Sequence, residues 1–502
     1  MAQFDPPVTI DESATQGAQG IFSTRNTGND VAEYNNTGDE MRVMVWDDLN
    51  ATAKFAWEES GTLAVGNKDL DGNNLGTVYD PDIVVSSDGN FLYVVYELDF
   101  TDIYYEGWRY NSFINDWILV DGPTQVNTNT PAHNPNIDVN RDQMANIDRM
   151  VIVWEEGNRI YAIAGDFSNG FLPTYSQVNL QNTQHAFWPD VSLFYNIQTG
   201  AMIAKFTYLQ DDGNNWHLYV QEEAWSDIAS GIVVPNQTNL FTAAQNVLGR
   251  PRIASSEFLN DDTNYTIVFR ETYNSSGTQY FINVFTMFNG SLYFFQPLPD
   301  SFFPADLSQP CANYVLNDEP VVVYHYELVY IAWTYDDNCF GYTGGEKEVI
   351  VAWKDLAGGV YSGNNFLLAN STPVGNQYTP SLAGRFSPQE NILYTFYDEF
   401  YSDIRYKASH WLNSPIRVTQ DSKNFDLSLY PNPATDFVNI SSSDASINKI
   451  DFYDLQGRLI KTVSIKENNK SIDISGLSNG VYVLGIEDQS GNSTTVRLNV
   501  IR

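Results

Sequence analysis

Between residues 30 and 400 one pattern of apolar and polar positions returns seven times. A proline opens a short alternation of apolar and polar residues. An apolar run follows and ends on an aromatic residue 13 to 19 residues after the proline, in six copies with an acid close behind. Pro81-Asp82-Ile83 leads to Tyr93-Val94-Val95-Tyr96-Glu97, and Pro135-Asn136-Ile137 leads to Val151-Ile152-Val153-Trp154-Glu155. Further copies start at Pro189, Pro251, Pro320 and Pro380. The first copy lacks the proline and runs from Asp30-Val31-Ala32 to Val43-Met44-Val45-Trp46-Asp47.

Alternation with period two is the mark of a half-buried strand, and a short unbroken apolar run that of a strand buried on both faces. The closing aromatics stand at 46, 96, 154, 206, 269, 333 and 396, so each interval is 50 to 64 residues long. That length holds about four short strands. Four-stranded units repeated around an axis are the β-propeller plan, and seven copies predict seven blades over residues 1–420. The proline is expected at the first residue of the innermost strand, where no ladder N–H is needed. Ring closure is expected from Ile21-Phe22-Ser23 beside Ile416-Arg417-Val418. No amphipathic helix of ordinary length is legible.

The tail has a different grain. A polar linker over 421–427 precedes short strands at 438–440, 449–453, 459–463, 471–474, 481–486 and 493–501. Gly457 and Gly480 stand at turns. The prediction for 428–502 is a small Ig-like β-sandwich, which makes the whole chain all-β.

Composition sharpens this picture. Tyr, Phe and Trp are abundant at 31, 29 and 11, which suits strands. The formal net charge is −36. Residues 422–502 carry 8 Lys/Arg against 9 Asp/Glu, so nearly all of it lies in the first 421 residues. Such a surface repels nucleic acid and anionic lipid and suits cations or neutral partners such as sugars. No stretch of 18 apolar residues would span a membrane. Met1-Ala2-Gln3-Phe4 reads as a mature start without a secretory apolar core.

In the tail, Tyr430-Pro431-Asn432-Pro433-Ala434 is followed by Tyr453-Asp454-Leu455-Gln456-Gly457-Arg458. Then come Ile474-Ser475-Gly476-Leu477-Ser478-Asn479-Gly480-Val481-Tyr482 and a basic terminus at Arg502. Together and in this order they resemble the type A C-terminal sorting domain of the Bacteroidota type IX secretion system. The resemblance covers about a sixth of the chain. It implies export across the outer membrane, recognition by the translocon and a shuttle barrel protein, and removal by a cell-surface sortase. The product would be released or held on the surface. It says nothing about what the propeller does.

The repeat itself points to one face of the propeller. The start of the first strand and the end of the second lie on the same side of an antiparallel blade. The acids Asp47, Glu97, Glu155, Glu271, Asp336 and Asp398 should therefore gather there. Tyr79-Asp80, His133-Asn134, Phe187-Trp188, Arg250, Glu319 and Tyr378-Thr379, which precede the prolines, should join them. Two readings stand side by side. In one the acids are acceptors for neighbouring loop N–H groups; in the other the face binds a sugar or cation, with Tyr79, Trp188 and Tyr378 as stacking surfaces. A pair of carboxylates alone does not specify a glycosidase. The S-x-D-x-G-x-x-W boxes of sialidases are missing, and Ser86-Ser87-Asp88-Gly89 matches only a turn. No nucleophile elbow, zincin motif or P-loop occurs, and the five histidines lack ligand spacing.

Two further sites are legible. Asn67, Asp69 and Asp71, with Gly72 at the turn, have the oxygen spacing of half a Ca2+ loop, although Val78 stands where a closing Glu would be. Asp211-Asp212-Gly213-Asn214-Asn215 is a weaker relative of it or a plain Asp-Gly hairpin. Cys311 and Cys339, the only cysteines, form a candidate disulfide, with two free thiols as the alternative. The leading expectation is an exported surface binding or adhesion module, with glycans as the candidate ligand. The rival is a secreted polysaccharide-acting enzyme.

Overall fold

A computed structural model describes residues 3–4, 8–11 and, apart from short internal breaks, 30–59, 66–166, 177–255, 264–295, 317–336, 347–355, 366–368, 377–411 and 427–500. Two compact units emerge. One comprises Phe4–Arg385 and Leu393–Ser409. The other comprises His410–Arg502 with Met1–Gln3 and Phe386–Ile392.

The first unit is a seven-bladed propeller. Seven antiparallel sheets follow one another along the chain. Their innermost strands are Asp30–Asn36 (blade 1), Val78–Val85 (blade 2), Ala132–Asp142 (blade 3), Ala186–Asn196 (blade 4), Arg252–Ser255 with Val247–Leu248 (blade 5), Asn317–His325 (blade 6) and Gln377–Phe386 (blade 7). From blade 1 to blade 6 each innermost strand lies against the next. The closing aromatics at 46, 96, 154, 206, 269, 333 and 396 all fall on the second strand of their blade.

The apolar runs explain the stacking. In blade 2, Leu92, Val94 and Tyr96 pack toward blade 1 with Val43, Val45, Phe55 and Trp57. The alternate residues Tyr93 and Val95 pack toward blade 3 with Met150, Ile152 and Trp154. The second strand is therefore apolar on both faces because each face meets a neighbouring blade. A fully buried side chain of this size contributes about 1.5–3 kcal/mol. The one α-helix among the described residues, Trp225–Ser230, follows the third strand of blade 4. Gly231, at φ 75°, ends it in the left-handed conformation that glycine accepts readily.

The prolines depart from expectation. Pro81, Pro135, Pro189, Pro320 and Pro380 are each the fourth residue of the innermost strand, not the first. In blade 2, Tyr79 pairs with Glu97 and Asp82 with Val95, so Asp80 and Pro81 together oppose Tyr96 alone. Blades 3, 4 and 6 repeat the shift opposite Trp154, Tyr208 and Trp333. A β-bulge tolerates proline inside a strand because the extra residue has no ladder partner to lose. The recurrent aromatic thus backs a bulge. In blade 4 that role falls to Tyr208 rather than Phe206.

Closure also differs. Val8–Asp11 pairs with Asp403–Trp411, the third strand of blade 7. The N-terminal segment thus completes the last blade, from an earlier point than expected. Residues 21–23 and 416–418 lie outside the described residues, as do Cys311 and Cys339.

Side-chain carboxylates tie the innermost strands together. Asp82 accepts the Ile137 N–H at 2.8 Å, Asp138 the Leu193 N–H at 2.6 Å, and Asp190 the Ile253 N–H at 2.6 Å. Each bond runs from one blade to the next. An innermost strand has one edge without a ladder partner, and an acceptor-only carboxylate satisfies donors there.

The tail folds on its own core. Leu427–Tyr430, Phe437–Ser442 and Asn469–Asp473 form one sheet. Leu459–Glu467, Ile447–Tyr453, Gly480–Asp488 and Ser493–Val500 form the other. Val438, Ile440 and Ile472 of the first meet Ile450, Phe452, Leu484, Ile486 and Leu498 of the second. The result is a small β-sandwich.

Replacing Asp190 by Ala should strand the Ile253 N–H and leave Arg252, now 3.3 Å from Asp190, without that partner. Urea denaturation should register a loss of roughly 1–3 kcal/mol. Asp69→Ala, which removes an exposed carboxylate 3.9 Å from Lys54, should stay within about 0.5 kcal/mol of the wild type.

Candidate ligand face and the C-terminal signal

The bulges build the face. The residue before the proline adopts positive φ in three successive blades: Asp80 at 45°, Asn134 at 54° and Trp188 at 51°. Proline already restricts the residue before it. Each such conformation costs on the order of 1–3 kcal/mol unless its surroundings hold it.

Here the surroundings are each other. Arg250, which precedes Pro251 in blade 5, donates from Nη2 to Asp80 Oδ2 at 3.0 Å and to Asn134 Oδ1 at 2.7 Å. Asn134 donates from Nδ2 to Glu155 Oε2 at 3.1 Å. The Trp188 backbone N–H also donates to Glu155. The four pre-proline residues of blades 2 to 5 thus form one hydrogen-bonded chain. Blade 4 stands between blades 3 and 5, so the Arg250 side chain reaches across the ring axis. Beside this chain, His133 Nδ1 lies 2.9 Å from Oε1 of the fully buried Glu97.

Glu155 is buried, and burial pushes its pKa above the usual carboxylate value. The Asn134 amide, His133, the Trp188 N–H and Arg250 oppose the rise. The carboxylates of Glu97 and Glu155 each reach the next blade, Glu97 at the His133 ring and Glu155 at the Trp188 N–H.

Aromatic pairs flank the polar chain. Tyr79 stacks on Phe100 with centroids 3.6 Å apart. Trp188 stacks on Trp216 at 5.9 Å and 11°, with Phe187 tilted against Trp216. Tyr79 and Trp188 were legible as candidates, and Phe100 and Trp216 were not. A usable signal existed: both follow the second strand of a blade, at the end where the prolines begin. Glu271 accepts from Asn283 within its own blade. Glu319, Tyr378 and Asp398 lie on strands of blades 6 and 7, and their side chains fall outside the described residues.

The residues of the Ca2+ reading are only partly described. Asn67 and Asp69 end the strand Gly66–Asp69, and the Asn67 side chain lies outside the described residues. Asp71 opens a 3₁₀ turn whose donors face inward: the N–H groups of Asp71 and Gly72 bind the carboxylate of Glu106 at 3.1 and 2.6 Å. Glu106 also accepts from Tyr96 and Trp108. The inward N–H groups of the loop are thus taken by an acceptor. Among the described residues no group of three His, Cys, Asp or Glu side chains is placed to hold a metal. Asp212 accepts from the N–H groups of Asn214 and Asn215 and lies 3.0 Å from His217, a hydrogen-bonded hairpin turn.

In the tail, the motif around Gly476 is an exposed turn anchored by the buried Ile474 and Leu477. The Leu477 N–H bonds to Ile474 O at 2.9 Å and its side chain enters the core. Tyr482 is buried and its hydroxyl donates to Ser478 O at 3.0 Å, which closes the turn against the strand beginning at Gly480. Ala434 is buried and bridges Val500. Tyr430 is half exposed. Pro431, Asn432, Pro433, Gly457, Arg458 and Arg502 lie outside the described residues.

Residues 428–501 match the family described as the secretion system C-terminal sorting domain. The tail is a type IX sorting domain. It directs export across the outer membrane, so the protein is secreted or displayed at the cell surface and engages the type IX machinery on the way. No helix among the described residues is long and apolar enough to cross a membrane. The chain is also 32% identical over 81 residues to β-agarase A of Zobellia galactanivorans. That stretch is 16% of this chain and 14% of the agarase. Solved structures with a similar course include AofleA of Arthrobotrys oligospora, at 10% identity over 70% of this chain and 88% of that one, TM-score 0.40. The six-bladed fucose-recognising lectin of Aleuria aurantia is 11% identical over 70% and 98%, TM-score 0.36. The β-propeller domain of the Trilobed protease of Pyrococcus furiosus is 8% identical over 77% and 99%, TM-score 0.38. Likenesses at this level decide neither blade number nor ligand. The seven sheets of this chain decide the first.

The raised pKa of Glu155 has a sign. An acid that holds its proton more tightly folded than unfolded lowers stability as pH rises from its ordinary value of 4.5 through its raised folded value. Glu155→Gln removes this dependence. The stability of the variant relative to the wild type should therefore increase as pH rises across that window, measured by urea melts at successive pH values.

Proposed function

We propose that the propeller is an extracellular binding module, delivered by the sorting domain, that takes a neutral glycan on the face where the prolines begin. The observation that carries this reading is the pairing of a partly buried polar chain, Asp80–Arg250–Asn134–Glu155, with the partly exposed ring pairs Tyr79/Phe100 and Trp188/Trp216. Sugars present hydroxyl edges and apolar C–H faces, and such a surface offers a counterpart to each. The acidic balance of the chain supports a neutral ligand over an anionic one.

Within the same reading, a translocon and shuttle barrel protein of the Bacteroidota type receive the tail, a surface sortase removes it, and the released or anchored propeller serves in adhesion or capture. A second reading rests on Glu155, a carboxyl whose raised pKa suits a general acid. On that reading the protein cleaves the glycan it binds.

A glycan array run beside a reducing-sugar release assay separates the two. Binding without release supports the module, and release abolished by Glu155→Gln supports the enzyme. Failure to bind any neutral glycan counts against both. Deletion of residues 425–502 should hold the propeller in the periplasm, read by cell fractionation. Normal surface delivery of the truncated chain would refute the export route.

A further inference from the structure

Eight described non-glycine residues have positive φ. Six are Asp, Asn or His, the types that tolerate this region best. The other two are Phe100, at 57°, and Trp188, at 51°. A bulky residue is a rare occupant of such a conformation. Both stand at the same end of their blades, and each stacks on a second ring. Phe100 occupies the tight turn between Phe91–Leu98 and Asp102–Asn111, and it is 40% exposed. Asp99 beside it, at 53°, does a turn's ordinary work: its carboxylate accepts the Thr77 N–H at 2.8 Å. At the φ of Phe100 a glycine would fit the backbone better.

The two ring pairs also share one surface. Tyr79 precedes Asp80 in the chain, Asp80 and Asn134 share Arg250, and Asn134 and the Trp188 N–H share Glu155. An unbroken line of contacts therefore leads from the Tyr79/Phe100 stack on blade 2 to the Trp188/Trp216 stack on blade 4, with hydrogen-bonding groups all along it.

We propose that the ligand is a linear neutral polysaccharide, held at two separate stacking subsites with the polar chain between them, and that Phe100 is a ligand-contact residue. The inference rests on the glycan reading above and goes further by fixing the ligand as a chain. A single sugar ring covers one subsite only. A chain that reaches both gains the second contact without a second bimolecular cost. Affinity should therefore climb with chain length until both stacks are engaged and then level off.

The test is titration calorimetry of the full-length protein with cello-, laminari-, xylo- and manno-oligosaccharides of about two to eight units, the span over which a second subsite should register. For the series that binds, affinity should rise with length. Phe100→Gly should weaken the long oligomers roughly tenfold, the typical effect of losing one aromatic anchor, and leave the disaccharide unchanged. Because glycine relieves the backbone, the melting temperature should hold or rise. Phe100→Asn, which keeps the turn conformation, should behave alike and guards against misfolding of the first variant. Length-independent affinity overturns the proposal, as does full affinity in both variants. If Trp188→Ala abolishes binding while both Phe100 variants bind normally, the single-site glycan reading survives and the two-subsite inference falls. No binding in any series removes both.

Discussion

Every blade of a propeller has an inner edge, and that edge is the constraint on which this structure turns. A strand at the rim of a sheet carries N–H groups that no ladder satisfies, and a buried donor without an acceptor costs about as much as a lost hydrogen bond. The chain answers with carboxylates lent from blade to blade. Asp82, Asp138 and Asp190 accept N–H groups of the following innermost strand. Glu155 accepts that of Trp188. An ionised carboxylate is suited to the task because it accepts through two oxygens and donates nothing.

This changes the meaning of the acidic composition. A net charge of −36 reads first as a surface property. Part of it is internal: Asp190, Glu97, Glu106, Glu155 and Glu156 are all buried. Glu156, for instance, accepts the N–H and side-chain amide of Asn129, the Trp154 indole and Gln177. Burial raises the pKa of Glu106, Glu155 and Asp190, so these acceptors work against their own desolvation. The ligand face is the same device extended. Its polar floor is made of residues that also join blades 2 to 5, and the aromatic pairs stand at its margins.

The sequence made the repeat legible because propeller blades bury both faces of their second strand, which leaves long apolar runs at regular intervals. The tail was legible for a different reason: its motifs are core and turn residues, as Leu477 and Tyr482 show. What escaped was local. Proline alone cannot tell a strand's first residue from a bulge three residues in, since both spare the ladder. Phe100, in a turn, and Trp216, at the start of a third strand, stand outside the repeated motif. Asn67, Asp69 and Asp71 have the spacing of a cation loop, but spacing does not reveal that Glu106, some thirty-five residues away, claims the loop's N–H groups. Arg250 is legible as a pre-proline residue, yet its two partners on blades 2 and 3 follow only from the folded propeller.

Native-state hydrogen exchange at the amides of Ile137, Leu193 and Ile253 tests the central claim most directly, because these groups have blade-to-blade carboxylates as acceptors. If those bonds hold the ring, the three amides should be protected to the same degree as ladder amides of the second strands, and should open only with the blade. Exchange at the rate of loop amides, while the second strands stay protected, would show that the blades stand without them and would contradict the account.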